Sequence, residues 1–318
     1  MIDIEHLTRT YGTLMAVDDV SFHVDRGEVV GLLGHNGAGK TTLMKILTGY
    51  LEPTAGTVRI DGLEIGRDTP AIQARIGYLP ENCPVWPDMT VIDLLDYQAG
   101  LHRVAPERRR QAVAAAIRRT ALKEKAMAPI HTLSRGYRQR VGVAQAILHE
   151  PDIVILDEPT NGLDPSQILH MRELIGELAQ RATVIVSTHI LQEVQAVCQR
   201  VVILRAGRKV MDARMDELQR GARLMVTVEG DADAVRAALA AVPGVTAVES
   251  VGQIGSCQRF ALQAGEGVAP AVSAAVHHAG FGLHALAFER RDLETLFAEI
   301  DRAATPEVAQ AAEVRHAA

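Results

Sequence analysis

The chain has 318 residues, 47% of them hydrophobic and 23% charged, with a formal net charge of −6. That is enough chain for one large domain or two ordinary ones around a substantial core, and the acidic balance excludes an overall basic field for nucleic acid or anionic lipid. Aromatic residues are only 3%, too few for broad base- or sugar-stacking platforms, and the three scattered cysteines, Cys83, Cys198 and Cys257, have neither disulfide-framework nor zinc-site spacing.

The opening MIDIEHLTRT carries acids and no apolar core, so no secretory leader is expected. No run of about 18 uninterrupted apolar residues occurs either, so no membrane span is expected. Ile2–Leu7 and Val20–Val24 read as strands, the second by clean alternation. Glu28–Leu33 is a short apolar strand running into a glycine-rich turn, and Thr41–Thr48 a helix ended by Gly49. Val58–Ile60 and Leu63–Ile65 flank Asp61-Gly62, a primed-turn hairpin signal. Residues 84–148 are helical in pattern, with Val91–Leu101, Pro106–Leu122 and Arg138–Leu148 the best segments.

Ile153–Leu156 and Thr183–Val186 are the continuous β-branched runs of a buried parallel sheet. Helices Ser166–Leu178 and Leu191–Cys198 follow them, and Val201–Leu204 with Arg208–Asp212 makes a last hairpin. Near Gly221 the pattern restarts as strand, helix, two strands, helix and strand, through Leu224–Val228, Ala232–Ala241, Val245–Ser250, Gln258–Leu262, Gly267–His278 and Leu283–Phe288. That order is ferredoxin-like. Leu293–Ile300 reads as one more helix, and residues 303–318 as a frayed tail. The expected organisation is an α/β nucleotide-binding domain over 1–220, an α+β domain over 221–302, and the tail.

Gly34-His35-Asn36-Gly37-Ala38-Gly39-Lys40-Thr41 fits the phosphate-loop pattern with a strand before it and a helix after it. Its glycines let backbone N–H groups close around phosphates, and the helix N-terminus adds positive potential. Lys40 can reach the terminal phosphates, and Thr41 can ligate Mg²⁺; Thr42 completes the expected nucleotide-binding segment. The strand Ile153–Leu156 ends in Asp157 and Glu158. Asp157 is a candidate Mg²⁺ holder and Glu158 a candidate for polarising the attacking water. His189 follows the next buried strand, at the edge where open α/β sheets bind ligands. It is expected to hydrogen-bond the terminal phosphate or orient the water.

These motifs, taken with Leu133-Ser134-Arg135-Gly136-Tyr137-Arg138-Gln139-Arg140, make the chain resemble the ATPases of ABC transporters, a P-loop NTPase fold with an antiparallel β subdomain and a helical insertion. The octapeptide resembles their signature motif, Tyr11-Gly12 the adenine-stacking loop, Asn161-Gly162-Leu163-Asp164 the D-loop, and Ser187-Thr188-His189 the switch-histidine segment. The resemblance implies ATP and Mg²⁺ as cofactors and a head-to-tail dimer, of two copies or of two related ATPases. In that dimer Ser134, Arg135 and Gly136 of one subunit act on the nucleotide over Lys40 of the other, with Asp164 in the D-loop. It also implies a separate transmembrane permease, a place on the cytoplasmic face of the inner membrane, and no nucleic acid. Asn82–Asp96 is expected to face that permease, with Trp86 and Met89 as candidate contacts.

Two positions depart from the common pattern. Glu81 stands where the Q-loop has glutamine, and is expected to keep a metal-sensing role. Arg135 and Tyr137 replace glycine and glutamine in the signature, a variant that resembles the type-2 exporter branch. The alternative is a soluble ABC ATPase acting on a partner such as the ribosome. Against it stand the single phosphate loop and the short spacing of 52 residues between Glu81 and Ser134.

Overall fold

The computed structural model describes residues 1–220, 223–265, 267–289 and 297. The chain divides into two compact units, Met1–Met215 and Asp216–Ala318. The expected helix Leu293–Ile300, apart from Phe297, and the tail 303–318 lie outside the described residues.

In the first unit β1 (Ile2–Tyr11) and β2 (Leu14–Val24) form a hairpin closed by Gly12-Thr13. Strand β2 is twice as long as the alternation suggests. Asp18-Asp19 hides its first half, because Asp19 sits at φ 50 beside a register shift. Then come β3 (Val29–Leu33), α1 (Lys40–Leu47), β4 (Ala55–Ile60), β5 (Leu63–Glu64), α2 (Thr69–Gln73) and β6 (Ile76–Leu79). The helical insertion holds α3 (Val91–Leu101), α4 (Pro106–Arg119) and α5 (Arg135–Ile147). It is followed by β7 (Ile153–Asp157), α6 (Pro165–Ala179), β8 (Thr183–Thr188), α7 (Leu191–Val197), β9 (Arg200–Arg205) and β10 (Arg208–Arg214). Helix α8 (Met215–Arg220) begins at the division between the units.

Two sheets result. One is antiparallel, in the order β2-β1-β4-β5; the other has six strands in the order β10-β9-β3-β8-β7-β6, parallel except for the β9-β10 hairpin. Helix α1 packs into the core they share. Its Leu43, Met44, Ile46 and Leu47 join Ile2, Leu7 and Ile60 of one sheet and Ile155 and Ile185 of the other. Each such fully buried side chain contributes about 1.5–3 kcal/mol. This clamps the segment just before α1, which is the phosphate loop.

Strand β6 has no alternation or long apolar run to betray it; four residues with Gly77 inside become a strand only by pairing with β7. Register then fixes where chemistry collects. Leu33 pairs with Thr188, Asp157 with Ser187, and Leu79 with Leu156. Four strands therefore end along one edge, where ligands bind open α/β sheets.

The second unit runs β11 (Arg223–Glu229), α9 (Ala232–Ala240), β12 (Val245–Ile254), β13 (Cys257–Ala264), α10 (Ala269–His278) and β14 (Gly282–Glu289). Its sheet is antiparallel in the order β12-β13-β11-β14. Leu224, Val226, Val228, Phe260 and Leu262 face Val235, Leu239, Val272 and Val276 of the helices in a wholly apolar core. This is the ferredoxin-like arrangement read from the sequence.

Candidate functional site

The strand edge opens into a cleft of about 620 Å³. Asn36, Gly37, Ala38, Gly39, Lys40, Thr41 and Thr42 line its floor, and Tyr11, Glu81, Glu158 and His189 line its walls. Residues from β1, the phosphate loop, the end of β6, the end of β7 and the end of β8 thus meet in one place. Gly39 caps α1 at φ 102, and a side chain there would run into the backbone carbonyl of Ala16. With no side-chain cap, the first-turn N–H groups of α1 have no partner from the cap residue. They make the cleft floor attractive to an anion.

Lys40 is 6% exposed, and its Nζ donates to the carbonyls of Gly34 at 2.7 Å and His35 at 3.3 Å. Gly34 and His35 are therefore held to the same cation without lining the cleft. Burial pulls the Lys40 ammonium below the ordinary lysine range, while Glu158, Asp157 and Glu81 oppose the shift. Glu158 Oε1 lies 3.9 Å from Nζ, and Glu158 Oε2 lies 2.9 Å from His189 Nδ1. Burial raises the Glu158 carboxyl above its usual range, and His189 pulls it back in part. Glu158 itself sits at φ 50, an uncommon conformation for a non-glycine residue, and its N–H donates to Ser187 O at 2.9 Å.

Asp157 is fully buried, and both its carboxylate oxygens lack a hydrogen-bond partner. Burial raises its carboxyl; the Ser187 and Thr41 hydroxyls nearby offset that only in part. A buried carboxylate left unsatisfied costs free energy unless a ligand or cation completes it. Among the described residues no group of three or more His, Cys, Asp or Glu side chains forms a self-contained metal site. A cation here would share oxygens of Asp157, Thr41 and the bound nucleotide.

The family model described as ABC transporter matches residues 17–161. An uncharacterised ABC transporter ATP-binding protein of Methanocaldococcus jannaschii is 36% identical over 220 residues, 69% of this chain and 79% of that protein. The chain belongs to the ABC transporter ATP-binding family. A Nod factor export ATP-binding protein I of Ralstonia nicotianae is 33% identical over 262 residues, 81% of each chain. Among solved structures, an ATP-binding subunit of an ABC transporter superposes with TM-score 0.64 at 31% identity, over 69% of this chain and 92% of that one. A bacterial ABC transporter cassette solved as a dimer matches with TM-score 0.64 at 25% identity, over 68% and 99%. The first unit is thus a P-loop ABC ATPase cassette, and its reaction is hydrolysis of ATP to ADP and phosphate.

Besides Gly34, His35 and the buried Asp157, four expected site residues of this ABC ATPase do not line its cleft: Ser134, Arg135, Gly136 and Asp164. Ser134 is the N-cap of α5, its Oγ accepting from Tyr137 N at 3.4 Å. Asp164 is the N-cap of α6, its Oδ1 accepting from Gln167 N at 2.9 Å and Ser166 Oγ at 2.8 Å. Those two bonds hold the Asp164 carboxyl below its usual range. Sequence reasoning missed Leu14 and Met15, exposed apolar side chains that share the cleft wall with Tyr11; Asn161 of the expected D-loop segment lines the cleft as well. Apolar residues at the start of a strand beside a turn were the available signal.

Proposed function

We propose that this chain is the ATP-hydrolysing subunit of an exporter whose membrane-spanning part is a separate permease. The match to the Nod factor export ATP-binding protein supports export: at 262 residues it is longer than the first unit, so it takes in part of the second as well. Among the described residues no helix is long and apolar enough to cross a membrane. The reading places the chain on the cytoplasmic face, docked to the permease.

The observation that carries the site assignment is the meeting of Lys40, Glu158 and His189 in one cleft. In this reading adenine lies against Tyr11 with Leu14 and Met15 beside it, and the phosphates rest on the Gly34–Thr41 loop. Lys40 Nζ leaves a loop carbonyl for a phosphate oxygen. Thr41, Asp157 and Glu81 would hold Mg²⁺, which would supply charge neutralisation at the phosphates; the unpartnered oxygens of Asp157 fit that role. Glu158, raised by burial, takes a proton from the attacking water, and His189 holds the carboxylate in place. Ser134 and the Gly136 backbone, with the Asp164 segment, complete the site of a second cassette in a dimer.

Beside Asn82–Asp96 lies a second groove of about 290 Å³, lined by Tyr50, Tyr78, Cys83, Pro84, His102 and His149. The exposed ring of Trp86 packs edge-on against Tyr97 at 5.3 Å on the same insertion. In this reading the permease docks here. The test is recovery of the partner of Glu158→Gln protein, trapped with ATP, from detergent-solubilised membranes. A polytopic membrane protein is the expected partner; ribosomal proteins instead would overturn the reading.

A further inference from the structure

Helix α5 and the segment after β7 are locked together by two reciprocal close approaches. The first runs from α5 outward. Gly162 stands at φ 76, and a side chain there would bring its first carbon within 2.7 Å of Arg135 Nε and 2.9 Å of Arg135 Cζ. Arg135 Cδ, at 2.8 Å, is as close, so the end of the arginine stem and the start of its guanidinium cover the space a Gly162 side chain would take. The second runs the other way. A side chain at Gly136 would run into the amide of Gln167, whose Cδ would be 2.8 Å away. Each segment inserts a long polar side chain into the gap left by the other's glycine.

A third contact ties this lock to Glu158. Gln139, buried on α5, donates from Nε2 to the Glu158 carbonyl at 3.4 Å. The same carbonyl accepts from Asn161 N at 3.2 Å, and Leu163 N donates to Thr160 O at 3.1 Å. Residues 158–163 are thus two overlapping turns. Glu158 in its uncommon conformation is at one end, and Gly162, under the Arg135 guanidinium, is inside the second turn. A shift of Gly162 tilts the Asn161 peptide, and with it the backbone that aims the Glu158 carboxylate at the cleft.

We propose that Arg135 is a positioning residue acting within its own subunit: with Gln167 it fixes the 158–163 turns so that Glu158 is held in its hydrolytic geometry. The inference rests on the assignment of Glu158 made above. It differs from a role for Arg135 as a phosphate ligand of a partner subunit, because the contact is made by shape. The Cδ, Nε and Cζ of an arginine cover a bare glycine, and a lysine has no planar Nε–Cζ group to put in their place.

The test uses the full chain and steady-state ATP hydrolysis, with ATP affinity measured by calorimetry and stability by thermal unfolding. Arg135→Ala is expected to lower kcat about tenfold, since small misplacements of a reacting group cost that much or more. KM and ATP affinity stay within about twofold, and the melting temperature is unchanged, as expected when an interaction that matters only to the chemical step is lost. Arg135→Lys is expected to behave like Arg135→Ala. Gln167→Ala lowers kcat as well, and the double variant loses less than the product of the two, because both act on one segment.

The proposal is overturned if Arg135→Ala keeps its kcat, if the loss appears in KM or ATP affinity, or if Lys restores the rate and so assigns the effect to charge. A kcat loss that merely follows a fall in melting temperature also overturns it, by assigning Arg135 to stability alone. Glu158→Gln separates this from the site reading. If that variant turns over like wild type, the site reading fails; if it is inactive while Arg135→Ala is normal, only the present inference fails.

Discussion

The two units are built on opposite economies of polar groups. In the second unit, the core contacts of β11, β13, α9 and α10 are apolar throughout. Among the described residues, none of the buried side-chain polar atoms without a partner falls there. In the first unit there are nine such atoms among the described residues, and five gather at the strand edge: both oxygens of Asp157, Ser187 Oγ, Thr160 Oγ1 and one oxygen of Glu193; the others are Arg9 Nε, Tyr78 OH, His149 Nδ1 and Arg172 Nε. A fold optimised for stability alone would satisfy or delete them. The difference teaches that the first unit is completed by what it binds, whereas the core of the second is complete as folded. On the proposed site reading, Asp157 is a group kept for chemistry at a cost to the ligand-free chain.

The hardest blow to this comparison comes at Glu158. Glu158→Gln keeps the shape and removes the base, and turnover is expected to fall by about 10²–10⁴-fold in a steady-state ATPase assay. Wild-type turnover would mean that the raised carboxyl beside His189 has no part in the reaction. Next comes Asp157. Its carboxyl is raised by burial, so the folded chain binds a proton more tightly there than the unfolded chain does. The resulting stability is present at low pH and lost as pH rises through the folded value. At neutral pH the ionised, unpartnered group is therefore a burden. Asp157→Asn is expected to raise the unfolding free energy of the ligand-free chain by about 1 kcal/mol while cutting Mg²⁺-dependent turnover at least about 100-fold. A variant both less stable and less active would show that Asp157 serves the fold, and the contrast between the units would collapse.

How much of this was legible in the sequence follows from how local each feature is. The phosphate loop is a contiguous string whose spacing carries its own mechanism, so Gly34–Thr41 and the strand and helix around it could be read directly. The β-branched runs before Asp157 and His189 were also legible, because buried parallel strands are apolar without alternation. Strand β6 was not, since four residues around Gly77 owe their conformation to β7 alone. The fit of Arg135 onto Gly162 and of Gln167 onto Gly136 was hidden for the same reason: each pair is separated by more than 20 residues and meets only through tertiary packing. Motif resemblance assigns Arg135 to a partner subunit's nucleotide and is silent on its contact with Gly162 of its own chain.

The finest probe of the comparison is pH, through His149. Its Nε2 lies 3.2 Å from Ile76 O, its ring stacks on His102 with centroids 3.9 Å apart, and its Nδ1 is buried without a partner. Burial, then the neighbouring His102, depress it from 6.5 to about 4, against a smaller opposing effect of the Ile76 carbonyl. The unfolded chain therefore binds more protons below pH 6.5. Stability is complete above that value and drains as pH falls toward 4, the reverse of the sign at Asp157. Between pH 7 and pH 5 the wild-type first unit should lose about 2 kcal/mol more than His149→Gln, which keeps a donor for Ile76 O and has no proton to gain. The check is denaturant unfolding of the two proteins at both pH values, followed separately for each unit. The second unit should show the same pH dependence in both proteins. Equal acid sensitivity of the first unit in wild type and variant would mean that the stacked pair is already relaxed, and that the first unit's cost of buried polar groups is confined to the nucleotide edge.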